Sequence, residues 1–190
     1  MRKRSRGFTL IELLVVVGLI SIMLSIAVPS FASFISNYRA TSAVNDLLQG
    51  VILTRSEALK RGRKVIMLPN DASGAPSTNG TWSNGWTIFV DQDNNQTLSA
   101  ADPLIFKHAA LPTSITAVAA GAYAQPFGGA NYVQFDGTGY PRTIANTQLS
   151  GGIVLTDNTG NAMNRRTLCL ANLGRPRIVK GPVADTCASA

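Results

Sequence analysis

The sequence predicts an α+β protein in which one long N-terminal helix packs on an antiparallel, β-rich domain. Apolar residues run almost unbroken from Leu13 to Val28, then recur every three or four positions as far as Leu59. From Lys64 onward that period gives way to short extended runs set off by Gly, Pro, Asn and Ser. The strands follow the helix instead of alternating with it, and there are no internal repeats. That order points to α+β, with the helix laid on one or two antiparallel sheets.

The helix has two parts. The apolar run covers about 16 residues before Pro29, slightly short of the ~20 that span a bilayer, and Phe31, Phe34 and Ile35 extend it on one face. Pro29 lacks an N–H donor, which predicts a kink or a loosened turn around it. Beyond it, Val44, Leu47, Leu48, Val51, Ile52 and Leu59 alternate with Asn45, Asp46, Gln49 and Lys60, the pattern of an amphipathic helix lying on a core. Gly62 suits its C-cap. Arg55 and Glu57 are not four apart, and their charges read as a solvated flank.

The strands expected after the helix are Lys64–Leu68, Trp86–Val90, Leu104–Lys107, Ile115–Val118, Tyr132–Phe135, Gly152–Thr156, Arg166–Leu170 and Arg175–Val179. The stretch from Pro69 to Gly85, rich in Asn, Ser, Gly and Pro, reads as a long surface loop.

A chain of 190 residues has room for one domain with a proper core and a terminal segment. With 45% hydrophobic and 14% charged residues it is a folding composition, not a disordered one. The net charge of +7 is unevenly spread, because Arg2, Lys3, Arg4 and Arg6 supply four of the 17 Lys+Arg. Without them 13 positives face 10 Asp+Glu, an excess of +3. The overall balance therefore says little about a nucleic-acid partner, and local charge decides.

Few residues suggest chemistry. Asp91, Asp93, Asn95, Thr97 and Asp102 are spaced roughly like calcium ligands in an EF-hand loop. However, Gln96 stands where the sharp-turn glycine belongs, the last ligand is Asp instead of Glu, and no helix clearly precedes Asp91; the polar-hairpin reading is preferred. His108 is the single histidine and joins no nucleophile–base arrangement. Gly128-Gly129 lacks the lysine of a phosphate-binding loop. Cys169 and Cys187, an isolated pair, are expected to form one disulfide in an exported protein; two thiols and one histidine cannot complete a zinc site. No cofactor, metal or enzymatic activity is expected.

The N-terminus carries the most specific signal. A cleaved secretory signal is cut after its apolar run. Ala27 and Ala32 permit such a cut, but nothing after Ile26 demands it. Glu12, at the membrane end of the apolar stretch, costs a few kcal/mol if unpaired and needs a reason to be there. Arg6-Gly7-Phe8-Thr9-Leu10-Ile11-Glu12-Leu13 resembles the leader junction of type IV pilins and type II secretion pseudopilins. The resemblance implies that a prepilin peptidase cuts between Gly7 and Phe8 and methylates Phe8. Glu12, then the fifth mature residue, would pair with a neighbouring subunit's N-terminal ammonium in the filament core. It implies three parts: a cleaved leader over 1–7, a transmembrane and filament-core helix over 8–35, and a periplasmic globular domain over 36–190. The protein would sit in the inner membrane as a single pass and later on the pilus, among major and minor pilins.

Further along, Arg55 to Gly62, Gly85 to Asp91 and Phe135 to Gly139 resemble the GspH/FimT group of minor pilins and pseudopilins. Arg165, Arg166, Arg175, Arg177 and Lys180 put five positives in sixteen residues with no acid among them. Gly174-Arg175-Pro176-Arg177 is similar to the Gly-Arg-x-Arg motif by which FimT-type minor pilins capture double-stranded DNA in natural transformation. On that resemblance Arg175 and Arg177 bind phosphate, a geometry guanidinium groups favour. Arg165, Arg166 and Lys180 join them on charge alone. A solvated strand edge is the other reading of these charges. A priming or capping minor pilin and a GspH-like secretion pseudopilin remain as other roles.

Overall fold

The structure is a computed structural model and describes residues 8–118, 131–159, 164–181 and 187. The leader 1–7, with the Gly7 side of the expected cut, and Gly128-Gly129 lie outside the described residues.

Helix α1 spans Leu10–Arg61, 52 residues and about 78 Å at 1.5 Å per residue. Thr9 caps its start, accepting a hydrogen bond from the Glu12 amide at 3.3 Å. Gly62 ends it in the left-handed conformation at φ 62, and the following Arg63 amide returns to the Ala58 carbonyl at 3.3 Å. The helix continues through Pro29 without interruption. Lys60 and Arg61 in the last turn both reach Glu57, at 3.4 and 2.6 Å.

Eight strands follow: β1 (Val65–Asn70), β2 (Thr81–Val90), β3 (Leu104–His108), β4 (Ile115–Val118), β5 (Val133–Phe135), β6 (Gly151–Asp157), β7 (Arg166–Leu170) and β8 (Pro176–Lys180). They form two four-stranded sheets, ordered β3-β2-β1-β5 and β4-β6-β7-β8, with every pairing antiparallel. Short antiparallel connections suit strands that alternate inward and outward side chains.

One expectation needs correcting. The segment from Pro69 to Gly85 is not one long loop: β1 continues to Asn70 and β2 already begins at Thr81. The pairing jumps from Pro69↔Trp86 to Asn70↔Thr81, so Trp82 to Gly85 bulge out of the ladder. Gly85 permits this at φ 85. The bulge buries Trp82 and lets Ser83 tie the two sheets together. Its hydroxyl accepts from the Ala117 amide at 2.8 Å, and its carbonyl accepts from the Leu111 amide at 2.8 Å. The loop signals in this stretch are real but belong to a bulge and to the short link 71–80.

The helix divides sharply. From Phe8 to Ile35 no described side chain is buried, and this half is long and apolar enough to cross a membrane. From Ser36 on, Ala40, Ala43, Val44, Leu47, Val51, Thr54 and Ala58 are all buried, a stripe at spacings of three and four. It packs against strands of both sheets, including β1, β5, β6, β7 and β8. Burying Leu47 and Val51 contributes roughly 1.5–3 kcal/mol each by area.

Polar ties fix the end of the stripe nearest the exposed half. The Ser36 hydroxyl donates to Asp157 on β6, and the Arg166 guanidinium on β7 donates to the Asn37 side chain. Burial alone would raise the Asp157 carboxyl. Hydrogen bonds from Ser36, Thr159 and Asn164 outweigh it and hold that carboxyl below its ordinary value near 3.8. A depressed carboxyl stabilises the fold above the unfolded-state value, and that stability is lost as pH falls through the folded value. Asp157→Asn is therefore expected to cost about 1–3 kcal/mol at pH 7. Urea unfolding at a series of pH values should also show a smaller acid-induced loss in the variant than in the parent.

Candidate functional site

The cationic segment is the β7–β8 hairpin. The Ala171 amide donates to the Arg175 carbonyl at 3.2 Å and the Gly174 amide to Ala171 at 2.8 Å, closing a turn over 171–175. Gly174 lies at φ 75, and a Cβ there would meet Phe135 and Pro141 at 3.1 Å. A side chain there would be strained at that φ and would press on both neighbours.

Strand register sorts the cations. Leu168 and Leu170 of β7 join the core with Ile153 and Leu155 of β6, so the alternate residues Thr167 and Cys169 take the opposite face. Arg177 pairs with Cys169 and therefore lies on the face away from the helix, exposed. Arg175 is exposed at the hairpin tip, two residues earlier. Lys180 pairs with Arg166, on the helix side of the strand, and is exposed near its end. Arg165 is half-buried, with Nε enclosed and unpartnered.

Arg166 is a correction. It is 3% exposed, and burial pushes its guanidinium below its ordinary value. It binds Asn37 and the Arg165 carbonyl, the latter at 2.9 Å, so it holds the helix and has no surface to offer DNA. The charge count treated five positives alike, and strand alternation separates them.

Cys169 and Cys187 are bonded, with Cα atoms 5.2 Å apart. A Cβ on Gly152, across from Cys169, would come within 2.6 Å of the Cys187 sulfur. The bridge therefore lies over the outer face of the sheet, on the side that displays Arg177.

The residue missed in the sequence is Arg55. It is half-buried, not a solvated flank, and Nη1 donates to the Gly174 carbonyl at 2.9 Å. A signal existed: position 55 falls four residues after Val51 and three before Ala58, on the border of the buried stripe.

Elsewhere, Phe8 is exposed, and Glu12 occupies the third helical position behind its Thr9 cap, a capping-box pattern. His108 ends β3, its ring stacked on Trp86 at 3.9 Å, with Nε2 3.9 Å from Asp46. Carboxylate oxygens of Asp91, Asp93 and Asp102 lie within 4.8 Å of one another. They close their own loop. Asp91 accepts from the Asn95 and Gln96 amides at 3.0 and 3.2 Å, and Asp102 from the Gln92 and Ser99 amides at 3.0 and 2.9 Å.

Residues 43–174 match the family model described as type II transport protein GspH. The chain belongs to the GspH family. Residues 2–28 of this GspH-family chain match the prokaryotic N-terminal methylation motif. That motif on an apolar helix places it in the inner membrane first and in a pilus-type filament afterwards. Its family is one of structural subunits, not enzymes.

The chain is 42% identical over 53 residues to prepilin peptidase-dependent protein D of Escherichia coli K12, covering 28% of this chain and 34% of that protein. It is 34% identical over 65 residues to a fimbrial protein of Pseudomonas aeruginosa, covering 34% and 41%. The chain thus spans well under half the length of these relatives. Two crystal forms of the type IV minor pilin FimU of Pseudomonas aeruginosa PAO1 share the fold, with TM-scores of 0.53 and 0.55 at 20% identity. They cover 77% and 80% of this chain, and 97% of FimU in each case.

Because the bridge closes a loop with a sequence separation of 18, Cys169→Ser is expected to cost about 3 kcal/mol by the chain-entropy estimate. Urea unfolding of parent and variant checks this, and adding reductant should bring the parent down to the variant.

Proposed function

We propose that this chain is a type IV minor pilin that binds double-stranded DNA without base specificity, for uptake in natural transformation. One observation carries the reading: Arg175 and Arg177 stand exposed at the tip and outer face of a hairpin whose turn is seated on the core and tied to the helix. Two guanidinium groups with Pro176 between them form a stiff, phosphate-matched pair. Arg165 and Lys180 add positive charge at the other end of the strand. Few phosphate contacts make each subunit's affinity modest and strongly dependent on salt.

The route to that position follows from the N-terminus. A prepilin peptidase cuts between Gly7 and Phe8 and methylates Phe8. Residues 8–35 hold the subunit in the membrane and later line the filament core, while the domain over 36–190 faces the periplasm and then the pilus surface. Glu12 pairs with the N-terminal ammonium of a neighbouring pilin, which offsets its desolvation and sets register. A second reading, a structural minor pilin that primes or caps the filament, is favoured by the FimU-like fold; deletion that abolishes pili would support it. A secretion pseudopilin is the third, favoured by the family description.

The deciding titration uses the chain from Phe8 onward in nonionic detergent micelles, so that the leader's cations are gone. Against a short duplex, Arg175→Ala/Arg177→Ala should weaken binding and reduce the slope of log affinity against log salt by about two. Parental affinity in that variant would end the DNA reading.

A further inference from the structure

We propose that Arg55 of helix α1 is the positioning residue for the DNA-contacting hairpin tip, acting through the Gly174 carbonyl. The inference rests on the DNA reading above and deepens it. Gly174 and Arg175 share the peptide whose oxygen accepts from Arg55 Nη1 at 2.9 Å. Fixing that peptide plane fixes the direction in which Arg175 leaves the backbone.

Among the described residues, the remaining surroundings of Gly174 give its carbonyl a seat but no other side-chain donor. Phe135, Pro141 and the Gly139 carbonyl occupy the space a side chain on Gly174 would need, and the turn's own hydrogen bonds run within 171–175. Gly139 in turn rests on Leu59 of the helix. The tip is thus braced on one helical turn, by Arg55 directly and by Leu59 through Gly139.

Arg55 is also unusual as a structural residue. The nearby acid, Glu57, is taken by Lys60 and Arg61, and among the described residues Arg55 has no carboxylate partner. Its Nε is enclosed without an acceptor. A half-buried cation set against the Gly174–Arg175 peptide, with no carboxylate partner among the described residues, is poorly explained by stability alone. It fits a site completed by an external anion, in which Arg55 aims the hairpin and Arg175 and Arg177 touch phosphate.

The test uses the chain from Phe8 onward in nonionic micelles, titrated with a short duplex at several salt concentrations. Arg55→Met keeps the aliphatic stem and removes the donors. It should weaken binding about five-fold, the effect of losing one hydrogen bond of ordinary net strength. The salt slope should stay at the parent's value, whereas Arg175→Ala lowers it by about one. Arg55→Lys, which restores a cationic donor, should recover most of the affinity. In the Arg175→Ala/Arg177→Ala background, Arg55→Met should change nothing further. Parental affinity for Arg55→Met overturns the proposal. So does a slope lower by about one, which would make Arg55 a direct contact. If the arginine-pair variant binds like the parent, the DNA reading itself fails and this inference with it; if the pair matters and Arg55 does not, this inference alone fails. Should Arg55→Met not fold, Arg55→Leu, which likewise has no donor, is held to the same outcomes.

Discussion

One unbroken helix must satisfy two environments, and the rest of the molecule follows from how it does so. Its first half has no described side chain buried, and its second half lends a narrow stripe to a core built from two sheets. A stripe of small and branched residues can bury itself against a concave surface, but it leaves rotation and sliding poorly determined. The polar ties resolve that. Ser36–Asp157 and Asn37–Arg166 lock the helix where it enters the domain, and Arg55–Gly174 locks it about five turns later. All three reach the same sheet.

That arrangement separates attachment from contact. In the proposed function the apolar half and Glu12 serve membrane and filament, while the β7–β8 hairpin offers its exposed arginines at the far side of the sheet. Between them lies a continuous path of helix, polar ties and sheet. In the proposed function the hairpin inherits its orientation from the helix. A subunit placed by its N-terminus in a filament therefore presents Arg175 and Arg177 in a set direction, without any flexible linker between the two tasks.

The elements that speak through period were legible. The helix, its Gly62 cap and the positions of most strands follow from the change of spacing at Lys64 and from the turn residues. The β2 bulge was not, because Ser, Asn and Gly spell the same local signal in a bulge as in a loop. Only the burial of Trp82 and the pairing with β4 through Ser83 tell them apart. At the site, composition located the cationic segment but could not sort it. Arg166 and Arg177 look alike in the sequence, yet strand alternation sends one to the helix and the other to solvent. Arg55 was hidden for a similar reason: its partner is a backbone carbonyl 119 residues away, and carbonyls leave no mark in a sequence.

The central claim is that DNA meets this subunit at the β7–β8 hairpin. Amide chemical shifts of the isotope-labelled chain from Phe8 onward, recorded while a short duplex is added, test it most directly. The account predicts movement concentrated at Gly174, Arg175 and Arg177, growing with duplex and reversed by salt. Shifts centred elsewhere, or none at low salt, would contradict it.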